Sequence, residues 1–127
     1  MAVIDAHAHI YPEKIASKAV DAVGAFYGVE MFDGGACSPG TPEALLACTN
    51  ESPITHFIVH SVATTSHAVT SINDFIAEQC RAHDNFVGFA TMHQDFEDVE
   101  GEINRAIDLG LKGVKIHPDT QKVNMDD

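Results

Sequence analysis

The spacing of hydrophobic positions changes repeatedly along the chain, and each change marks an element. Val3 to His9 is an apolar stretch of strand length that begins almost at Met1. Pro12 then opens a helical stretch in which Ile15, Ala19, Val23 and Phe26 recur at helical spacing. Residues 28–40, with Gly34-Gly35, Cys37 and Pro39, read as an irregular loop. Thr41-Pro42-Glu43 is a helix start: a hydroxyl cap, a proline in the first turn and an acid near the positive end of the helix dipole. That short helix should run to Thr49 or Asn50.

Thr55 to Val62, rich in β-branched and aromatic residues, is the second strand. Val69, Ile72, Phe75, Ile76 and Cys80 make the buried stripe of the next helix, and Phe86 to Thr91 the third strand. Phe96, Val99, Ile103, Ala106 and Ile107 outline another amphipathic helix, stopped by Gly110. Val114 to His117 is the fourth strand, ended by Pro118. The order βα(α)βαβαβ, with crossovers long enough to join parallel strands, predicts an α/β fold with a helix-covered parallel sheet. A doubly wound open sheet and a (β/α)8 TIM barrel both fit. A dinucleotide fold would want Gly-x-Gly-x-x-Gly after the first strand, whereas this chain has Asp5-Ala6-His7-Ala8-His9, which favours the barrel.

Charge narrows the partners. The net charge is −12, from 19 acidic residues against 7 Lys and Arg, so nucleic acid and anionic membrane surfaces are not expected. Hydrophobic residues make up 45% of the 127, as in a soluble globular protein, and no apolar run has the roughly 20 residues of a membrane span. With neither a basic region nor a signal-peptide core at the N-terminus, the expected location is cytoplasmic. The three cysteines form no Cys-x-x-Cys pair, and Cys80 is expected to pack in the core. Asn50-Glu51-Ser52 matches a glycosylation acceptor, an accidental match in a protein without a secretion signal.

His7 and His9 carry the candidate chemistry. Two apart on a strand, both rings should face the same way, as two imidazoles sharing a divalent cation must. Asp5 has the same parity and is expected one layer deeper, orienting a ligand through a hydrogen bond. The C-terminal end of a strand is where barrel enzymes place their active sites.

Ile4-Asp5-Ala6-His7-Ala8-His9-Ile10-Tyr11-Pro12 resembles the first strand of the amidohydrolase superfamily. Three later segments resemble its amidohydrolase-2 branch, which includes aminocarboxymuconate-semialdehyde decarboxylase-like enzymes: Asn73 to Ala77, Phe86 to Met92 and Leu109 to Pro118. The resemblance implies a catalytic metal, commonly zinc, held by His7 and His9, with further ligands from a histidine on the fifth strand and an aspartate on the eighth. Neither of those two has a counterpart here. The expectation is therefore the first four βα units of a TIM barrel, a single segment spanning residues 1–127, where a whole barrel takes about 250 residues.

Four more residues are candidates. Lys115 and His117 share a parity on the fourth strand. His117 could act on substrate, as a catalytic group, or as an extra metal ligand. Lys115 lies deeper, and some relatives carboxylate such a lysine, but an interior charge pair is the expected role. His60 and His93, near the ends of the second and third strands, could line a substrate pocket or serve as hydrogen-bonded structural histidines. His56, His67 and His83 are read as structural.

The resemblance implies metal-dependent hydrolysis of a small amide, ester or lactone, with non-oxidative decarboxylation as the alternative. A half-barrel that binds or assembles without catalysis is a third reading. The chain alone is expected to be nearly inactive, and to self-associate through its open strand edges into a homo-oligomer.

Overall fold

The structure, a computed structural model, describes residues 1–31, 40–47, 49 and 52–126. Cys37, Cys48, Gly34-Gly35, Pro39, Asn50 and Glu51 lie outside the described residues, and so do the loop and glycosylation readings that rest on them.

Strand β1 (Ile4–His9) pairs in parallel with β2 (His56–His60), and β2 pairs in parallel with β3 (Phe86–Gly88). A second parallel pair joins β4 (Ala90–Thr91) to β5 (Val114–Lys115). The third strand foreseen from sequence, residues 86–91, is thus divided at Phe89. Its first part faces β2, its second part faces β5, and the change of partner is bridged by backbone bonds. Phe89 N donates to Val59 O at 2.9 Å, while Ala90 N donates to Gly113 O at 2.8 Å. A strand that hands its hydrogen bonds from one neighbour to the other must twist between them. The resulting strand sequence across the fold is β1, β2, β3/β4, β5.

Helices α3 (Val69–Ala82) and α4 (Val99–Asp108) are the crossovers. A 3-10 turn, Ser66–Ala68, leads into α3. Phe57, Val59, Phe86 and Ala90 from the strands meet Ile76 and Ala106 from the helices in one core. The approach is tight at Gly88, where a Cβ would come within 2.7 Å of both Cys80 Sγ and Leu111 Cδ2. Cys80 packs against this core as expected, and burial raises its thiol pKa. Helix α4 opens on Asp98, whose Oδ1 accepts the Gly101 N–H at 3.0 Å, a cap the hydrophobic pattern did not signal. At its other end stands Gly110, with φ +90° in the left-handed region, as its stop role requires.

The β1–β2 connection behaves differently. It carries α1 (Glu13–Tyr27) and α2 (Pro42–Ala47), the latter capped by Thr41 Oγ1, which accepts the Ala44 N–H at 3.2 Å. Helix α1 reaches from one strand end to another. It begins just past the C-terminal end of β1 and ends where Tyr27 bonds His117, just past the C-terminal end of β5. Its 15 residues, about 22 Å of helix, therefore link the C-terminal ends of β1 and β5.

Two buried polar knots fasten the strand ends. Asn73, fully buried on α3, accepts the Thr91 N–H at 2.7 Å, and its Nδ2 donates to Thr91 O (3.2 Å) and Glu102 Oε1 (2.7 Å). Glu102 in turn takes two bonds of 2.8 Å from Arg105, which also reaches Asp74. In the other knot Gln121, on the last helix α5 (Pro118–Gln121), donates from Nε2 to Ala63 O (2.9 Å) and Met92 O (2.6 Å), and its Oε1 accepts the His117 N–H. The loops following β2, β4 and β5 are thereby held together. Among the described residues, no helix is long and apolar enough to cross a membrane.

Candidate metal centre

His9 and His60 are register partners at the C-terminal ends of β1 and β2, so their side chains leave the sheet at the same height. Their rings meet edge to face with centroids 4.5 Å apart, and His7 meets His60 in the same way at 4.7 Å. The Nε2 atoms of His7 and His9 are 3.1 Å apart. One ring nitrogen from each of the three histidines lies within 4.8 Å of the other two. His7 is exposed, His9 half-buried, and His60 only 2% exposed.

The register explains the grouping. Between Asp5 and Ala8 the β1–β2 ladder shifts: Asp5 stands opposite Phe57 and Ala8 opposite Val59, so β1 spends one residue more than β2. The same bulge corrects the reading of Asp5. It breaks the alternation that would have put Asp5 on the histidine face, and a slip of one residue exchanges the two faces. The Asp5 carboxylate instead accepts the backbone N–H of His7 at 2.9 Å, holding the bulge rather than an imidazole ring.

Burial and neighbouring charge keep His9 and His60 neutral. Burial, then the neighbouring His7, Lys115 and His117, push the His9 pKa down to about 4. Burial, then His9, His7 and Lys115, push His60 down to about 3. Neutral imidazole is the form that ligates a metal. His60 Nδ1 is also the single buried side-chain nitrogen or oxygen, among the described residues, without a hydrogen-bond partner. Such an orphan costs about 1–3 kcal/mol unless something satisfies it. Two nitrogens on one tetrahedral zinc, each at about 2.0–2.1 Å, stand about 3.3 Å apart. The 3.1 Å between His7 and His9 is close to that separation. Donor type, spacing, neutrality and the orphaned atom all fit a divalent cation. His9 Nδ1, meanwhile, is 3.2 Å from the Tyr11 hydroxyl.

The other residues singled out from sequence fall around this cluster. Lys115 pairs in register with Thr91 and lies within electrostatic reach of His9 and His60. Among the described residues it makes no ion pair, and no carboxylate joins the imidazoles near it. His117 does not extend the fourth strand, because β5 stops at Lys115. Pro118 lacks an N–H and starts a new helix, and His117 becomes its cap. Its Nδ1 accepts the Thr120 N–H at 3.5 Å and its Nε2 meets Tyr27 Oη at 2.5 Å. His93 is buried at 8% exposure, outside the cluster, where its Nδ1 accepts the Asp95 N–H at 3.2 Å. That is the structural alternative considered for it.

Sequence reasoning missed Tyr11 and Tyr27. Tyr11 continues the alternation of His7 and His9 and was open to detection; Tyr27 reaches the site across 90 residues and gave no local signal.

The comparison with curated proteins finds no match. The family model described as "Amidohydrolase" matches residues 4–127, the stretch that holds the histidine cluster and every element described above. The chain belongs to the amidohydrolase family, whose members carry out metal-dependent, hydrolase-type chemistry.

Proposed function

We propose that the chain forms the cation-binding wall of a TIM-barrel hydrolase site that cleaves a small amide, ester or lactone, with zinc as the cation. The supporting observation is the convergence of three imidazoles on one point, one of them carrying a buried, unsatisfied nitrogen. The family and the parallel strand order support the barrel. When bound, a divalent cation supplies the positive charge that polarises a carbonyl oxygen or acidifies a water molecule. His7, His9 and His60 hold it. Lys115, which has no carboxylate partner among the described residues, attracts an anionic part of the substrate towards the imidazoles. Helix α1, with Tyr27 bonded to His117, forms a side of the approach along the strand ends and limits the entry of water.

Among the described residues no carboxylate joins the three imidazoles. Loss of a general acid/base typically lowers rate about 10²–10⁴-fold. A site without such a group should turn over slowly, and supplying a carboxylate to it should raise the rate by about that factor. The position of Lys115 favours a second reading, non-oxidative decarboxylation, in which the ammonium holds the carboxylate that is lost.

A panel of lactones, amides, esters and aromatic carboxylic acids separates the readings. Zinc-dependent hydrolysis, reduced in His7→Ala, is the expected result. Zinc-dependent release of carbon dioxide would replace it with the second reading. No zinc-dependent turnover, either by this chain or by an eight-strand polypeptide containing it, would overturn both.

A further inference from the structure

We propose that Tyr11 is the positioning residue of the cation site: its phenol oxygen accepts a hydrogen bond from His9 Nδ1 and so frees the Nε2 lone pair of His9 for the cation. The inference rests on the cation-binding reading above.

The argument starts from proton counting. A neutral imidazole carries one N–H, on either Nδ1 or Nε2. The Nε2 atoms of His7 and His9 face each other at 3.1 Å, so in the metal-free chain one of them donates and the other accepts. A cation between them needs a lone pair from both. The proton of His9 must then sit on Nδ1, where it requires an acceptor. The neighbour there is Tyr11 Oη, at 3.2 Å, with the two rings stacked at an interplanar angle of 29°. Tyr11 is half-buried, and its phenol oxygen offers lone pairs that can accept the bond.

Tyr11 is itself held in place. Its backbone N–H donates to Gly40 O at 3.0 Å, where the chain returns from α1 towards α2. Gly40 sits at φ +89°, and a Cβ there would lie 3.0 Å from Val20 Cγ2 and 3.4 Å from Tyr11 Cδ2. The positive φ suits a residue without a side chain, and the tight approach to Val20 leaves little room for one as the backbone passes beside the Tyr11 ring. The segment that follows α1 thus also holds the tyrosine beside His9. Outer partners of this kind are typically worth about 10–100-fold in metal affinity.

The test uses the full chain, stripped with chelator, in its natural and Tyr11→Phe forms. Phenylalanine keeps the ring beside Gly40 and removes only the oxygen. Zinc affinity by calorimetry should fall about 10–100-fold in Tyr11→Phe. In 15N-histidine spectra of the zinc-loaded natural chain, His9 should carry its proton on Nδ1, with the Nδ1 proton shifted by hydrogen bonding and that shift lost in the variant. A purely structural tyrosine would lower the melting temperature without moving the Nδ1 proton resonance. Equal zinc affinity in the two forms, or a His9 Nδ1 proton unchanged by the substitution, overturns the inference. A natural chain that binds no zinc overturns the cation-binding reading itself, a result distinct from both.

Discussion

Two clusters of polar side chains in this fold each have a buried member, Asn73 in one and His60 in the other, and they differ in one respect. In the Asn73–Thr91–Glu102–Arg105 network, every hydrogen bond that Asn73 can make in its pocket is answered from within the chain. Arg105 also holds the Glu102 carboxyl below its ordinary pKa, against the opposing effect of burial. In the His7–His9–His60 cluster the donors face one another, and His60 Nδ1 is left without a partner. The first cluster is complete as it stands and serves the fold. The second becomes complete only with something added from outside. Burial alone does not distinguish the two clusters; satisfaction does.

The largest effect should come from breaking the complete cluster. Asn73→Ala leaves the Thr91 N–H and Glu102 Oε1 without their bonds and should cost about 2–4 kcal/mol of stability, read from denaturant unfolding of the metal-free chain. A loss below about 1 kcal/mol would mean that the network relaxes or takes up water, and the contrast would weaken.

A smaller effect, and one specific to the histidines, is the response to acid. His9 and His60 titrate near 4 and 3 when folded, against 6.5 when unexposed to such surroundings. The unfolded chain therefore binds more protons between about pH 6.5 and 3. Both groups leave stability unaffected above that window and reduce it as pH falls through it. Melting temperatures of the metal-free chain from pH 7 to 4 should fall, and less steeply in His60→Leu. An identical slope in the variant would show that His60 is not held neutral by the fold.

The smallest effect is the most telling. At neutral pH, His60→Leu removes an unsatisfied buried nitrogen and keeps an apolar side chain of similar size, so metal-free stability should be unchanged or rise by up to about 1 kcal/mol. A loss above about 2 kcal/mol would mean that His60 is a structural histidine like His93, satisfied in solution by a partner such as water.

The sequence was a good guide where physics is local. The periodicity of Val69 to Cys80 and of Val99 to Ile107 located α3 and α4, and the apolar runs located the strands, because one buried face fixes each pattern. Elements shaped by long-range contacts were harder. The division of residues 86–91 depends on which neighbour each half meets. The link that α1 makes between the ends of β1 and β5 is invisible in its own amphipathic pattern. In the site, the closeness of His7 and His9 followed from their spacing. The place of His60 beside them follows from a register 51 residues away, which its own sequence context does not encode. Asp5 was misplaced for a related reason: a single bulge reverses parity, and no residue type in Asp5-Ala6-His7-Ala8 announces one.

The central claim is that the incomplete cluster is a cation site. Its most direct test is calorimetric titration of the chelator-stripped chain with zinc, alongside His7→Ala, His9→Ala and His60→Leu. The account predicts one zinc per chain in the natural protein and affinity reduced by at least tenfold in each variant. It would be contradicted by a natural chain that takes up no zinc, or by binding that all three substitutions leave unchanged.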